Sequence, residues 1–236
     1  MAFDHLAFRT LGVAHLGIAS LSSWFTDLGY TERDELRFPA KRLRARWFSP
    51  PSPDLPRVFI SELLLEELPP RAQEIVSKYT REGAAAMGKY GPAAAMLGLT
   101  PWAPPSLEDY VELAALSEYG SWVLANGFSV NHVAVSVHRL AGLEGGLAEL
   151  NDFLKQHKFE LNVGGGEVKV SPDGLLLQSS TVADRREYTF AGGECAPVTS
   201  GYIEFAAFYM SLRAHLRGGC KCKLKLKPAL GAAPAM

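Results

Sequence analysis

Asp4-His5-Leu6-Ala7-Phe8-Arg9-Thr10 and, far downstream, Asn131-His132-Val133-Ala134-Val135-Ser136-Val137 are the stretches whose reading decides the fold. Both suit short strands, in which alternate side chains point to opposite faces. In the first, His5, Ala7 and Arg9 share a face, while Leu6 and Phe8 share the other. In the second the valines share one face, and His132, Ala134 and Ser136 the other. Each strand therefore has one face for packing and one on which polar chemistry is carried.

Working outward, Leu21, Trp24, Phe25 and Leu28 recur at helical spacing, with Ser20 as an N-cap and Gly29 as a stop. Residues 36–48 and 57–64 read as strands, separated by the Pro-rich loop Ser49 to Pro56. Residues 1–68 thus form a strand, helix, strands module. From Pro69 to Gly127 the pattern turns helical: Ala72, Ile75, Val76 and Tyr79 make one stripe, and Ser106 with Asp109 three residues on resembles a capping box. Residues 69–127 are accordingly expected to be a helical insertion. Residues 128–210 repeat the first order: a strand over Asn131 to Val137, a helix carrying Leu147, Leu150, Phe153 and Leu154, then strands near 159–162, 167–170, 175–180 and 201–208. The likeness lies in element order, without a clear residue-level repeat. The segment 211–236, rich in Lys, Arg, Gly, Ala and Pro, is expected to be a poorly ordered basic tail.

With 236 residues, 47% of them apolar, the chain can bury a substantial core. A formal charge of −1, with both signs mixed along the chain, offers no field for nucleic acid or an anionic membrane, and a small-molecule partner is expected instead. No apolar run reaches the roughly 20 residues that span a bilayer, and the opening residues show neither a signal segment nor a transit segment. Three cysteines, Cys195, Cys220 and Cys222, argue against a disulfide framework.

The candidate chemistry rests on polar residues set in apolar strands. In Tyr202-Ile203-Glu204-Phe205-Ala206, Glu204 lies between apolar neighbours, where an unpartnered carboxylate would cost several kcal/mol. Two histidines, His5 and His132, with one carboxylate, Glu204, make the ligand set of a non-haem Fe(II) facial triad. The spacings of 127 and 72 residues match no local metal motif, so core histidines with hydrogen bonds and a glutamate paired to an arginine remain open on pattern alone. Arg9 follows His5 on the same face, about 13 Å along. Its planar fork suits a carboxylate, and a structural ion pair, for instance with Glu62, is the alternative. His15, His138, His157 and His215 read as turn, surface or tail residues. Gly164-Gly165-Gly166 precedes no helix and reads as a turn, and Cys220-Lys221-Cys222 lacks a second ligand pair.

Taken together, DHLAFRT (4–10), GYTERDELRFPAKRLRARWFSPP (29–51), PRVFISELLLEELP (56–69), NHVAV (131–135), LNVGGGEVKVSPDGLLLQSSTVAD (161–184) and GYIEFA (201–206) resemble the 2-oxoadipate dioxygenase/decarboxylase family, and most closely its plant and algal plastid branch. The resemblance implies an α+β, vicinal-oxygen-chelate-like fold of paired βαβββ modules forming a half-open barrel. It implies an Fe(II) cofactor and conversion of 2-oxoadipate with O2 to D-2-hydroxyglutarate and CO2 in lysine catabolism, in a plastid. Carried over by position, the metal ligands fall on His5, His132 and Glu204 and the substrate-binding arginine on Arg9; Gln178, Ser180 and Lys41 are further candidates, either for substrate contacts or for hydrogen bonds that support the ligands. A non-catalytic plastid protein of the same fold, affecting starch or plastid development through a partner, is the alternative. A different reaction of the same fold, such as an isomerase using another divalent ion, is a third reading.

Overall fold

The computed structural model of the chain describes residues 3–90, 100–143, 145–171 and 173–208. The first module runs β1 (Phe3–Leu11), α1 (Ile18–Asp27), β2 (Thr31–Phe38), β3 (Leu43–Ser49) and β4 (Arg57–Leu63). Here β1 pairs in parallel with β4, while β3 pairs antiparallel with both β2 and β4. Among the described residues three helices follow: α2 (Pro70–Tyr90), α3 (Leu107–Leu116) and α4 (Glu118–Asn126). The second stretch has β5 (Val130–Ser136), α5 (Gly146–Gln156), β6 (Lys169–Val170), β7 (Leu176–Ser180), β8 (Arg185–Thr189), β9 (Cys195–Thr199) and β10 (Tyr202–Phe208).

The strand order β2-β3-β4-β1-β5-β10-β7-β6 explains the repeat of element order. In each half the module's last strand sits beside its first, and its second strand lies at the sheet's edge. The hairpin β8–β9 is a separate two-stranded sheet. Compactness divides the chain differently from the modules. One unit contains the described residues of Met1–Asp4, Ala134–Val182 and Ile203–Met236, and the other His5–Val133 and Ala183–Tyr202. The boundaries therefore fall inside β1 and β5 and within β10.

In the larger unit, Phe8, Leu11, Leu16, Leu21, Phe25, Phe48, Val58, Ile60 and Leu63 pack with Ile75, Val76, Leu113 and Leu124 of the helices. The inserted helices thus share a core with the first module. In the other unit, Val135 and Val137 pack against Leu147, Leu150 and Leu154 of α5 and Phe205 of β10. This is the valine face expected for the second strand.

Several local expectations are corrected. The segment 36–48 is not continuous strand: Pro39–Lys41 forms a 3-10 turn and Arg42 takes φ 55°, so β2 and β3 form a hairpin around it. Proline cannot supply a ladder N–H, which makes it a natural break. Residues 159–162 contribute a single bridge, Leu161 to Thr181. The helix α1 begins at Ile18 with Gly17 as its N-cap, ahead of Ser20, and no cap side chain serves it. Glu62 on β4 serves instead, its Oε2 accepting from the Ile18 N–H at 2.7 Å. Gly29, as expected, follows α1 with φ 87°. The expected tail over 211–236, with His215, Cys220 and Cys222, lies outside the described residues.

Ser106 does cap α3, its Oγ accepting from the Asp109 N–H at 3.2 Å. The return arm of the expected box is replaced: the Ser106 N–H donates to the Tyr79 hydroxyl, while Asp109 accepts from Lys78 Nζ at 2.6 Å and from that hydroxyl at 2.5 Å. Burial pushes the Asp109 carboxyl up, but the hydrogen bonds from Lys78 and Tyr79, with the Lys78 charge and Ser106 in support, hold it below the usual carboxylate value. The stability this contributes is present above the unfolded carboxyl's pKa and is lost as pH falls through the lower folded value. Asp109→Asn is expected to cost about 1–3 kcal/mol at neutral pH. In urea denaturation the gap between variant and parent should narrow toward about pH 3.

Candidate metal centre and anion clamp

The strands β1 and β5 each contribute one histidine. His5 Nε2 and His132 Nε2 face each other at 3.3 Å, with the rings edge to face. Asn131, the residue before His132, presents Oδ1 3.0 Å from His132 Nδ1. A carboxamide oxygen only accepts, so Nδ1 carries the proton and the Nε2 lone pair is directed toward His5. The Tyr202 ring stacks on His132 at 4.7 Å between centroids. Burial first, then the charges of His5 and Arg9, push the His132 pKa well below its ordinary value, so the ring is neutral near pH 7.

On β10, Glu204 is 9% exposed and lies opposite Ser180 of β7. Gln178, itself buried, donates from Nε2 to Glu204 Oε1 at 2.6 Å. Gln178 therefore acts on the carboxylate, fixing its orientation. Glu204 also counters the desolvation that lowers the Lys169 pKa. Ser180 is buried on the neighbouring strand. His5, His132 and Glu204 each offer one atom of a kind that ligates metal ions.

The donor chemistry fits a divalent cation. Two adjacent imidazole ligands with metal–nitrogen bonds of about 2.1 Å stand roughly 3 Å apart, close to the observed separation. Neutral imidazole is the ligating form, and Asn131 and Gln178 supply the outer hydrogen bonds that orient ligands.

The ion-pair partner of Arg9 is Glu118 and not Glu62, the example considered above. Glu62 is occupied by Arg44 and by the Ile18 N–H. Arg9 instead lies over the Tyr119 ring at 4.9 Å and the Trp122 ring at 5.2 Å, both on α4. Glu118 Oε1 is 3.8 Å from Arg9 Nη1, too long for a hydrogen bond, and Nη1 is buried without a hydrogen-bond acceptor. Lys41 belongs to the same electrostatic neighbourhood. Its pKa is lowered by half-burial and by Arg9, and partly restored by Glu118. The helix residues Tyr119 and Trp122 were not signalled by sequence, because aromatic residues on a helix read as core. Among the remaining histidines, His15 sits in a turn with φ 66°, His138 packs edge-on against Phe208, and His157 closes α5.

The sheet of two similarly ordered halves defines the class: a vicinal-oxygen-chelate-like α+β protein. A Ralstonia eutropha JMP134 protein assigned to the glyoxalase superfamily shares this fold, at TM-score 0.64 and 21% identity over 87% of this chain and 72% of that one. The family model for 2-oxoadipate dioxygenase/decarboxylase matches residues 1–91 and 91–217, and the chain belongs to that family. The rice (Oryza sativa subsp. japonica) 2-oxoadipate dioxygenase/decarboxylase, chloroplastic/amyloplastic, is 47% identical over 216 residues, 87% of this chain and 59% of the relative. The chain therefore spans well under two thirds of that relative's length. The crystal structure of the rice hydroxyglutarate synthase in complex with 2-oxoadipate superposes with TM-score 0.85 at 45% identity, covering 92% of this chain and 72% of that one.

Proposed function

We propose that this protein is a plastid Fe(II)-dependent dioxygenase/decarboxylase that converts 2-oxoadipate and O2 to D-2-hydroxyglutarate and CO2. The observation that carries the reading is the pairing of His132, oriented by Asn131 to face His5, with an arginine four residues beyond His5 on β1 whose buried N–H has no acceptor. His5, His132 and Glu204 hold the metal. Iron bound there supplies the Lewis acidity and electrons for O2 activation at a chelated 2-oxo acid. Asn131 keeps the His132 proton on Nδ1, away from the metal side. Gln178 donates to one carboxylate oxygen of Glu204 and fixes the orientation of the carboxylate. Arg9 takes the far carboxylate of the substrate and sets the pose of its chain, with Lys41 adding positive potential. The family membership and the rice complex support this assignment.

Anaerobic loading with Fe(II), followed by titration with 2-oxoadipate, should produce the visible charge-transfer absorption of a chelated 2-oxo acid. Admission of O2 should then yield equal amounts of CO2 and 2-hydroxyglutarate. A folded, iron-loaded sample that shows neither signal sinks the assignment.

A further inference from the structure

We propose that Tyr119 and Trp122 of α4 are positioning residues for the reaction, forming an aromatic bracket that holds Arg9 as a preorganised fork for the substrate's distal carboxylate. The proposal rests on the reading of Arg9 as the substrate clamp. Both rings lie within about 5 Å of the guanidinium carbon, at 4.9 and 5.2 Å, so the cation's contacts are π faces. A π face attracts the charge without accepting its N–H bonds along the fork. Nη1 is buried with no hydrogen-bond acceptor, and the ion-pair partner of Arg9, Glu118, stays at 3.8 Å, beyond hydrogen-bond reach.

The bracket is itself fixed. The Tyr119 hydroxyl donates to the Ser61 carbonyl at 2.8 Å, lies 2.9 Å from Ser61 Oγ, and accepts from the Thr10 N–H at 3.2 Å. Ser61 is the register partner of Arg9 on the neighbouring strand. Tyr119 is therefore tied to the two strands that carry and flank Arg9. Trp122 Nε1 donates to the Ser200 carbonyl at 2.9 Å, which fixes the second ring from a different segment. Rotamer freedom of the long arginine side chain is thus removed before a ligand arrives, so binding an anionic end costs less ordering. A ligand with a neutral end gains nothing from the fork. The bracket consequently selects 2-oxo acids that end in a second carboxylate.

The test compares Trp122→Leu, which removes the π face, with Trp122→Phe, which keeps one. Steady-state kinetics are measured on the iron-loaded proteins with 2-oxoadipate and with the neutral-ended 2-oxohexanoate. The Arg9 Nε–H resonance is followed by NMR during titration with glutarate, in parallel. Trp122→Leu should raise KM for 2-oxoadipate at least tenfold with a smaller change in kcat, leave the constants for 2-oxohexanoate within twofold, and lose the upfield ring shift of the Arg9 resonance. Trp122→Phe should recover most of the loss. Equal changes for both substrates, or no change in KM, in a folded variant with full metal content overturn the bracket. If the parent protein turns over neither acid, the proposed activity falls, and the glutarate titration alone decides the bracket: an Arg9 resonance unmoved by glutarate, or alike in parent and Trp122→Leu, rejects it.

Discussion

His132→Ala is expected to bind Fe(II) at least a hundredfold more weakly than the parent and to lose turnover with it. The ring is neutral because burial and the His5 and Arg9 charges disfavour its protonation, so no proton has to leave before a cation binds. Its Nε2 is aimed at His5 Nε2 by the Asn131 contact, which makes the couple a ready chelate. Alanine removes one of the three proposed ligands and leaves Asn131 Oδ1 without its donor. Replacement of an orienting partner alone typically costs 10 to 100-fold in metal affinity. Asn131→Ala should therefore fall between parent and His132→Ala in an anaerobic Fe(II) or Co(II) titration. Unchanged affinity in a folded His132→Ala protein would remove the histidine from the site.

Glu62→Ala should be the most destabilising substitution outside the candidate site, by about 3–5 kcal/mol. Glu62 is 3% exposed, and both carboxylate oxygens are used. Oε2 accepts the Ile18 N–H at the start of α1, and Oε1 accepts from Arg44 Nε at 2.9 Å and from Arg44 Nη2. A negative charge at a helix N-terminus also meets the favourable end of the helix dipole. The chain is shaped around this carboxylate: a Cβ at Gly17 would stand 2.6 Å from Oε2, and one at Gly12 would stand 2.8 Å from the Leu63 carbonyl. Alanine would leave an amide unpaired beside a void and Arg44 without its counter-ion. Glu62→Gln keeps an acceptor for Ile18 and should lose less. Urea midpoints for the two variants check the order, and a Glu62→Ala protein within 1 kcal/mol of the parent would remove the anchor.

The face assignments in β1 and β5 were legible because period-2 alternation survives burial: Phe8 enters the core, whereas Arg9 leaves it for the α4 rings. Valines 135 and 137 likewise pack against α5. The helix of the first module was legible, but its start was not, since the acceptor for Ile18 lies 44 residues away on β4. The hairpin β8–β9 escaped for a different reason. Its first strand, Arg185-Arg186-Glu187-Tyr188-Thr189, is charged and mostly exposed, with no apolar alternation to mark it. For the candidate site, residue type and strand position raised two histidines and a glutamate as candidates but left ordinary core roles open, and the family resemblance chose between them. The aromatic setting of Arg9 was hidden, because it depends on a helix more than 100 residues downstream. Ion-pair geometry was hidden too: Glu62 belongs to Arg44, and no sequence rule separates that choice from Arg9.

The hairpin β8–β9 has one more consequence. Arg186 Nη2 donates to the Ala125 carbonyl at 3.1 Å, Asn126 Nδ2 donates to the Thr199 carbonyl at 3.1 Å, and Trp122 donates to Ser200. Phe190 and Val198 pack with Ala125. The C-terminal half of α4 is thus held by a segment some 60 to 78 residues later in the chain. On the ribosome, β1 and α4 emerge long before residue 200 does. Until then the Trp122 indole lacks its anchor, so the nascent chain cannot complete the setting of Arg9 domain-first. Its maturation waits on the late hairpin.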